Sequence, residues 1–94
     1  MNIIETPLLD CKIIEPAVFK DARGKFCIAF DSIAFAKALP QQAAFITINE
    51  STSSYGVLRG LHAQKADAAQ TKLIRCVQGR ILDVAVDFRP DSPT

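Results

Sequence analysis

Ninety-four residues and a mass of 10.3 kDa accommodate one domain and leave no room for a second. A composition of 49% hydrophobic and 22% charged residues is that of a globular chain and excludes disorder and fibrous repeats. Eleven Lys and Arg against ten Asp and Glu leave a net charge of +1, which gives no electrostatic footprint for nucleic acid or for an anionic membrane surface.

The opening Met1-Asn2-Ile3-Ile4-Glu5 lacks the basic region and long apolar stretch of a secretory signal, so a cytoplasmic location is expected. Residues 12–19 read as an extended apolar stretch, demoted to an edge or irregular strand by Pro16. Asp21-Ala22-Arg23-Gly24 reads as a turn, and residues 25–30 as the strand that follows it. That strand ends in Phe26-Cys27-Ile28-Ala29-Phe30, the longest apolar run, far short of the ~20 residues needed to span a membrane. Asp31 is placed to cap a short helix through Leu39, with Pro40 as its stop. Residues 43–49, rich in β-branched and aromatic side chains, predict a strand. Residues 51–56 are a polar connection into a strand over 57–64, and residues 65–70 form a polar, Ala-rich loop. Residues 71–78 and 80–88 flank Gly79 in the pattern of a hairpin. Many short strands and one helix predict a mainly β sandwich or barrel. The strands are too few to close it, so residues 1–94 read as part of a single larger domain.

Cys11, Cys27 and Cys76 are odd in number, widely spaced and form no C-x-x-C pair, so neither a disulfide framework nor a zinc clamp is indicated. Each sits in an apolar or strand-like context that suits a small buried thiol. With one His in the chain, a protein-only transition-metal site lacks ligands, and no metal is expected.

Polar chemistry concentrates in Gly56-Val57-Leu58-Arg59-Gly60-Leu61-His62-Ala63-Gln64. Arg59 and His62 are three residues apart, and regular pleating would put them on opposite faces. A bulge or other irregularity at Gly60 would bring them together, and Lys72 on the next strand would complete the cluster. Such a trio can perform a definite reaction: a neutral imidazole abstracts a proton next to a carbonyl while a cation steadies the enolate oxygen. Taken alone, the same residues read more readily as solvated or hydrogen-bonded strand side chains, since a lone His in a β-rich chain is more often that than a catalyst.

Several stretches together resemble the dTDP-4-dehydrorhamnose 3,5-epimerase family. They are Glu15-Pro16-x-Val18-Phe19-x-Asp21-x-Arg23-Gly24-x-Phe26, Asn49-x-Ser51-x-Ser53-x-x-Gly56-Val57-Leu58-Arg59-Gly60-Leu61-His62-x-Gln64 and Ala69-Gln70-x-Lys72-Leu73-Ile74-Arg75-Cys76-Val77-x-Gly79. Asp83-Val84-Ala85-Val86-Asp87-x-Arg89-x-x-Ser92-Pro93-Thr94 follows in order. The resemblance implies a cupin-type double-sheet jelly roll, here the N-terminal and incomplete part, independent of metal and other cofactors, and a homodimer when intact. Gln64 stands where metal-binding cupins carry a second His. The implied reaction inverts C3 and C5 of a dTDP-linked 4-keto-6-deoxy sugar, on the route to dTDP-L-rhamnose. His62 matches the general base and Lys72 the support of the enolate oxygen; Arg23 and Arg59 match contacts to the sugar nucleotide and its diphosphate. Phe26 and Asn49 match further substrate contacts. The chain departs from the family at Lys25, Cys27, Ile28, Thr47, Ile48 and Ala63, mostly around the nucleotide-base subsite. The resemblance also places the family's opposite-face acid, a Tyr, and the Asp that orients the base beyond residue 94. The alternatives are an inactive fragment that binds a sugar nucleotide or a partner chain, and a related deoxysugar ketoisomerase or single-centre epimerase.

Overall fold

Paired isoleucines begin the architecture. In the computed structural model, which describes residues 1–39, 45–65 and 70–94, strand β1 (Asn2–Glu5) pairs antiparallel with β2 (Lys12–Glu15). Ile3 faces Ile14 and Ile4 faces Ile13, while Glu5 and Lys12 close the register with an ion pair. β-Branched cross-strand pairs of this kind fit a pleated surface well. The first pair is half-buried and the second exposed, the alternation expected of a strand with one covered face. Between the strands, the amide of Cys11 donates to the Leu8 carbonyl at 3.2 Å, and Asp10 adopts a left-handed φ of +66°. The Thr6 hydroxyl lies 2.6 Å from the Cys11 carbonyl and accepts from the Leu8 amide at 3.2 Å, so one side chain closes this loop from inside.

Pro16 and Ala17 separate this hairpin from a second, in which β3 (Val18–Asp21) pairs antiparallel with β4 (Gly24–Cys27). The extended stretch expected over 12–19 is therefore two strands in two different sheets. Proline, which has no N–H for a ladder, marks the division. The expected turn at residues 21–24 is present. Asp21 Oδ1 accepts from the Arg23 amide at 2.8 Å, and Gly24 follows with a φ of +138° that a side chain would resist.

The helix α1 (Ser32–Ala38) begins where expected. The Asp31 carboxylate accepts from the amides of Ile33 and Ala34 at 3.0 Å each, and the Leu39 amide donates to the Phe35 carbonyl at 2.8 Å. The expected stop at Pro40 lies outside the described residues. Phe35 is 3% exposed, the one buried hydrophobic side chain among the described residues. Its ring packs edge-on against Phe30 at 4.9 Å, and Phe30 meets Phe45 at 5.9 Å.

The remaining strands are not formed. Residues 45–49, 57–64, 71–78 and 80–88 carry no ladder, and residues 43, 44 and 66–69 lie outside the described set. Gly79 does turn the chain, with a φ of +83°, but its flanks do not pair. The physical reason is that β propensity measures fit to a half-covered pleated surface, and no such surface faces these segments. Val57, Leu61, Leu82, Val84 and Val86 are all exposed. The described residues form two small antiparallel sheets and one short helix, mainly β, as an incomplete part of a cupin-type fold would be. None of the helices is long and apolar enough to cross a membrane among the described residues.

Candidate functional site

Arg23 projects from the β3–β4 turn with its side chain largely in solvent, tethered by Asp21 Oδ2, which accepts from Nε at 3.1 Å and from Nη2. The guanidinium and the amide of Arg23 hold the Asp21 carboxyl below the usual carboxylate range. Three residues on, Phe26 stands directly opposite Phe19 across the ladder, and both rings are exposed. These side chains, with Lys20 and Lys25, line an open cleft of about 500 Å³. Within it lie an aromatic face and a cation that can receive a planar group and an anion.

Arg59, His62 and Lys72 are exposed on segments without regular structure. Arg59 Nε donates to Ser53 Oγ at 3.0 Å, which ties the Arg-Gly-Leu-His run to the serines before it. The expected irregularity at Gly60 is present: its φ is +96°. A Cβ at that position would lie 3.2 Å from His62 Nδ1, so the imidazole folds back over a residue that must remain small. Among the described residues, no hydrogen bond or ion pair joins Arg59, His62 and Lys72 to one another. Asn49 is also exposed, and it does not line the cleft of Arg23 and Phe26. The structure thus brings Arg23 and Phe26 together and leaves the other four candidates on open chain.

Two polar partners escaped the reading of the sequence. Asp21 and Ser53 each hold a candidate arginine, and the signal for the first was the Asp-x-Arg spacing, which recurs at Asp87 and Arg89. The cysteines also need a correction. Cys11 and Cys27 are half-buried, but Cys76 is exposed because the strand meant to cover it is not formed. All three are free thiols.

The hairpins, the capped helix and the imidazole-bearing segment define an incomplete, mainly β protein of cupin type. Residues 5–94 match the family model described as dTDP-4-dehydrorhamnose 3,5-epimerase. The chain is 49% identical over 94 residues to the dTDP-4-dehydrorhamnose 3,5-epimerase of Shigella flexneri, covering 100% of this chain and 52% of that protein. The Escherichia coli K12 protein of the same name is 49% identical over 92 residues, or 98% of this chain and 50% of that protein. The protein so named from Methanothermobacter thermautotrophicus is 45% identical over 93 residues, 99% of this chain and 49% of that protein. No solved structure matches the chain. The chain belongs to the dTDP-4-dehydrorhamnose 3,5-epimerase family. It spans about half the length of these three relatives.

Proposed function

We propose that these residues belong to a nucleotide-sugar isomerase that inverts C3 and C5 of dTDP-4-keto-6-deoxyglucose, acting in the cytoplasm as a homodimer. The observation that carries this reading is the match over residues 5–94, which includes the Arg59-Gly60-Leu61-His62 run. In the proposed reaction His62 takes the proton from the carbon next to the C4 ketone. The electron pair of that C–H bond becomes the enolate, whose oxygen Lys72 stabilises as a point charge. A proton then returns to the same carbon from the opposite face, so the atoms balance and no net oxidation occurs. Arg23 and Arg59 engage the diphosphate through their guanidinium forks, and Phe26 and Asn49 contact the nucleotide or the sugar. Tyr55 lies in the turn before the Arg59–His62 run, and the family resemblance, which matches no Tyr of these 94 residues to the opposite-face acid, assigns that role to a residue outside them.

A second reading has its own support. The open surface and the half-length match favour a piece that binds a sugar nucleotide or a partner chain without turnover. Proton exchange in heavy water, followed by NMR of the substrate, separates the possibilities. Deuterium entering at both C3 and C5 supports the proposal. Entry at one carbon indicates a single-centre epimerase or a ketoisomerase, and binding without entry indicates the inactive piece.

A further inference from the structure

The stretch Asp87-x-Arg89-x-x-Ser92-x-Thr94 has no part in the proposed chemistry, yet it carries a dense polar network. The Arg89 amide donates to Asp87 Oδ1 at 3.0 Å, and Nε and Nη2 reach the two oxygens of the same carboxylate at 2.9 Å each. Ser92 Oγ and Thr94 Oγ1 both donate to Asp87 Oδ2, the latter at 3.0 Å. The Asp87 side chain is only 6% exposed in a region that is otherwise open. From this fixed base Arg89 reaches to the other end of the sequence. Its Nη1 donates to Asp10 Oδ2 at 3.0 Å and its Nη2 to the Leu9 carbonyl at 2.8 Å. The Leu9 amide in turn donates to Thr94 Oγ1 at 3.1 Å.

Beside this network lies an open surface depression of about 240 Å³, lined by Asp10, Asp87 and Arg89 together with Leu9, Cys11 and Val86. Polar contacts from Arg89 and Thr94 join the two segments across it. Asp87 supplies the preorganisation: it locks the guanidinium plane, so less rotamer freedom is lost when the fork meets Leu9 and Asp10. We infer that this stretch is a strap, a conformational device in which Arg89, fixed by Asp87, holds the loop of residues 6–11 and the β1–β2 hairpin against residues 87–94.

Amide hydrogen exchange of the intact protein tests the strap, read by mass spectrometry on peptides spanning residues 6–11 and 18–27. Arg89→Gln is expected to speed exchange in 6–11 by about tenfold or more, the effect of losing charge-assisted hydrogen bonds, with 18–27 unchanged. Asp10→Asn removes one charge and is expected to give a smaller rise in the same peptide. Arg89→Lys is expected to behave like Arg89→Gln, because an ammonium cannot bridge Asp87, Leu9 and Asp10 together. Unchanged exchange in 6–11 for Arg89→Gln, or an equal rise in both peptides, would overturn the strap. If Arg89→Gln does not fold, Asp10→Asn decides: no rise in 6–11 overturns it.

Discussion

His62 is the residue on which the proposed chemistry turns. It is the one imidazole in the chain, and it sits two residues after a glycine whose φ of +96° folds it back. His62→Ala is expected to lower solvent exchange into the sugar by about 10²–10⁴-fold, the usual value of a general base, while nucleotide binding persists. Undiminished exchange in the alanine variant would remove His62 from the mechanism. The paired Asp-x-Arg clamps make a separate prediction. Asp21 and Asp87 are both held below the usual carboxylate range, first of all by the side-chain hydrogen bonds of Arg23 and Arg89. A lowered folded pKa means that the clamp's contribution is fully present above the unfolded value of about 3.9. It is lost as the pH falls through the lower folded value. The clamps are therefore expected to hold unchanged from about pH 8 to 5 and to loosen only below about pH 4. Exchange corrected for the intrinsic rate reads this in residues 6–11 for the Asp87–Arg89 clamp and in residues 18–27 for the Asp21–Arg23 clamp, and loosening of either near neutral pH would contradict it.

At the scale of elements, local signals succeeded where local physics decides. The helix was legible because Asp31 supplies its own cap, and Asp31→Ala is expected to cost about 0.5–2 kcal/mol of helix stability. Circular dichroism of the variant checks that loss. The 21–24 turn was legible for a similar reason: the Asp21 side chain and Gly24 build it without distant help. Strand β1 was overlooked, although Ile3 and Ile4 matched Ile13 and Ile14, because a four-residue strand has little periodicity of its own. The opposite error befell residues 57–64, 71–78 and 80–88. Their patterns are strand-like, but a strand exists only when another strand accepts its backbone hydrogen bonds. For the site, Arg23 and Phe26 were named only through the family resemblance, and their proximity comes from sharing one hairpin. The convergence of Arg59, His62 and Lys72 depends on the segments that do not pair, so residue type announces the chemistry while the geometry needs long-range partners.

For the whole molecule, the radius of gyration is 15.4 Å, against about 12.4 Å for a compact chain of this length. The solvent-accessible surface of 9013 Å² likewise exceeds the roughly 5,400 Å² of a compact protein of this mass. Exposed aliphatic residues contribute to the excess: Leu58 is 91% and Leu82 is 90% exposed. Covering one such side chain contributes roughly 1.5–3 kcal/mol, and the net stability of a domain is only about 5–15 kcal/mol. Val57, Leu61, Leu82, Val84 and Val86 without cover thus represent a deficit comparable to the entire stability of a domain. These 94 residues form an incomplete jelly roll whose later segments have no opposing strand among the described residues. Sedimentation velocity of the 94-residue chain, with its thermal unfolding followed in the same buffer, tests this most directly. Self-associated or heterogeneous species with a broad, non-cooperative transition are expected, whereas a single monomeric species unfolding cooperatively at high temperature would contradict the claim.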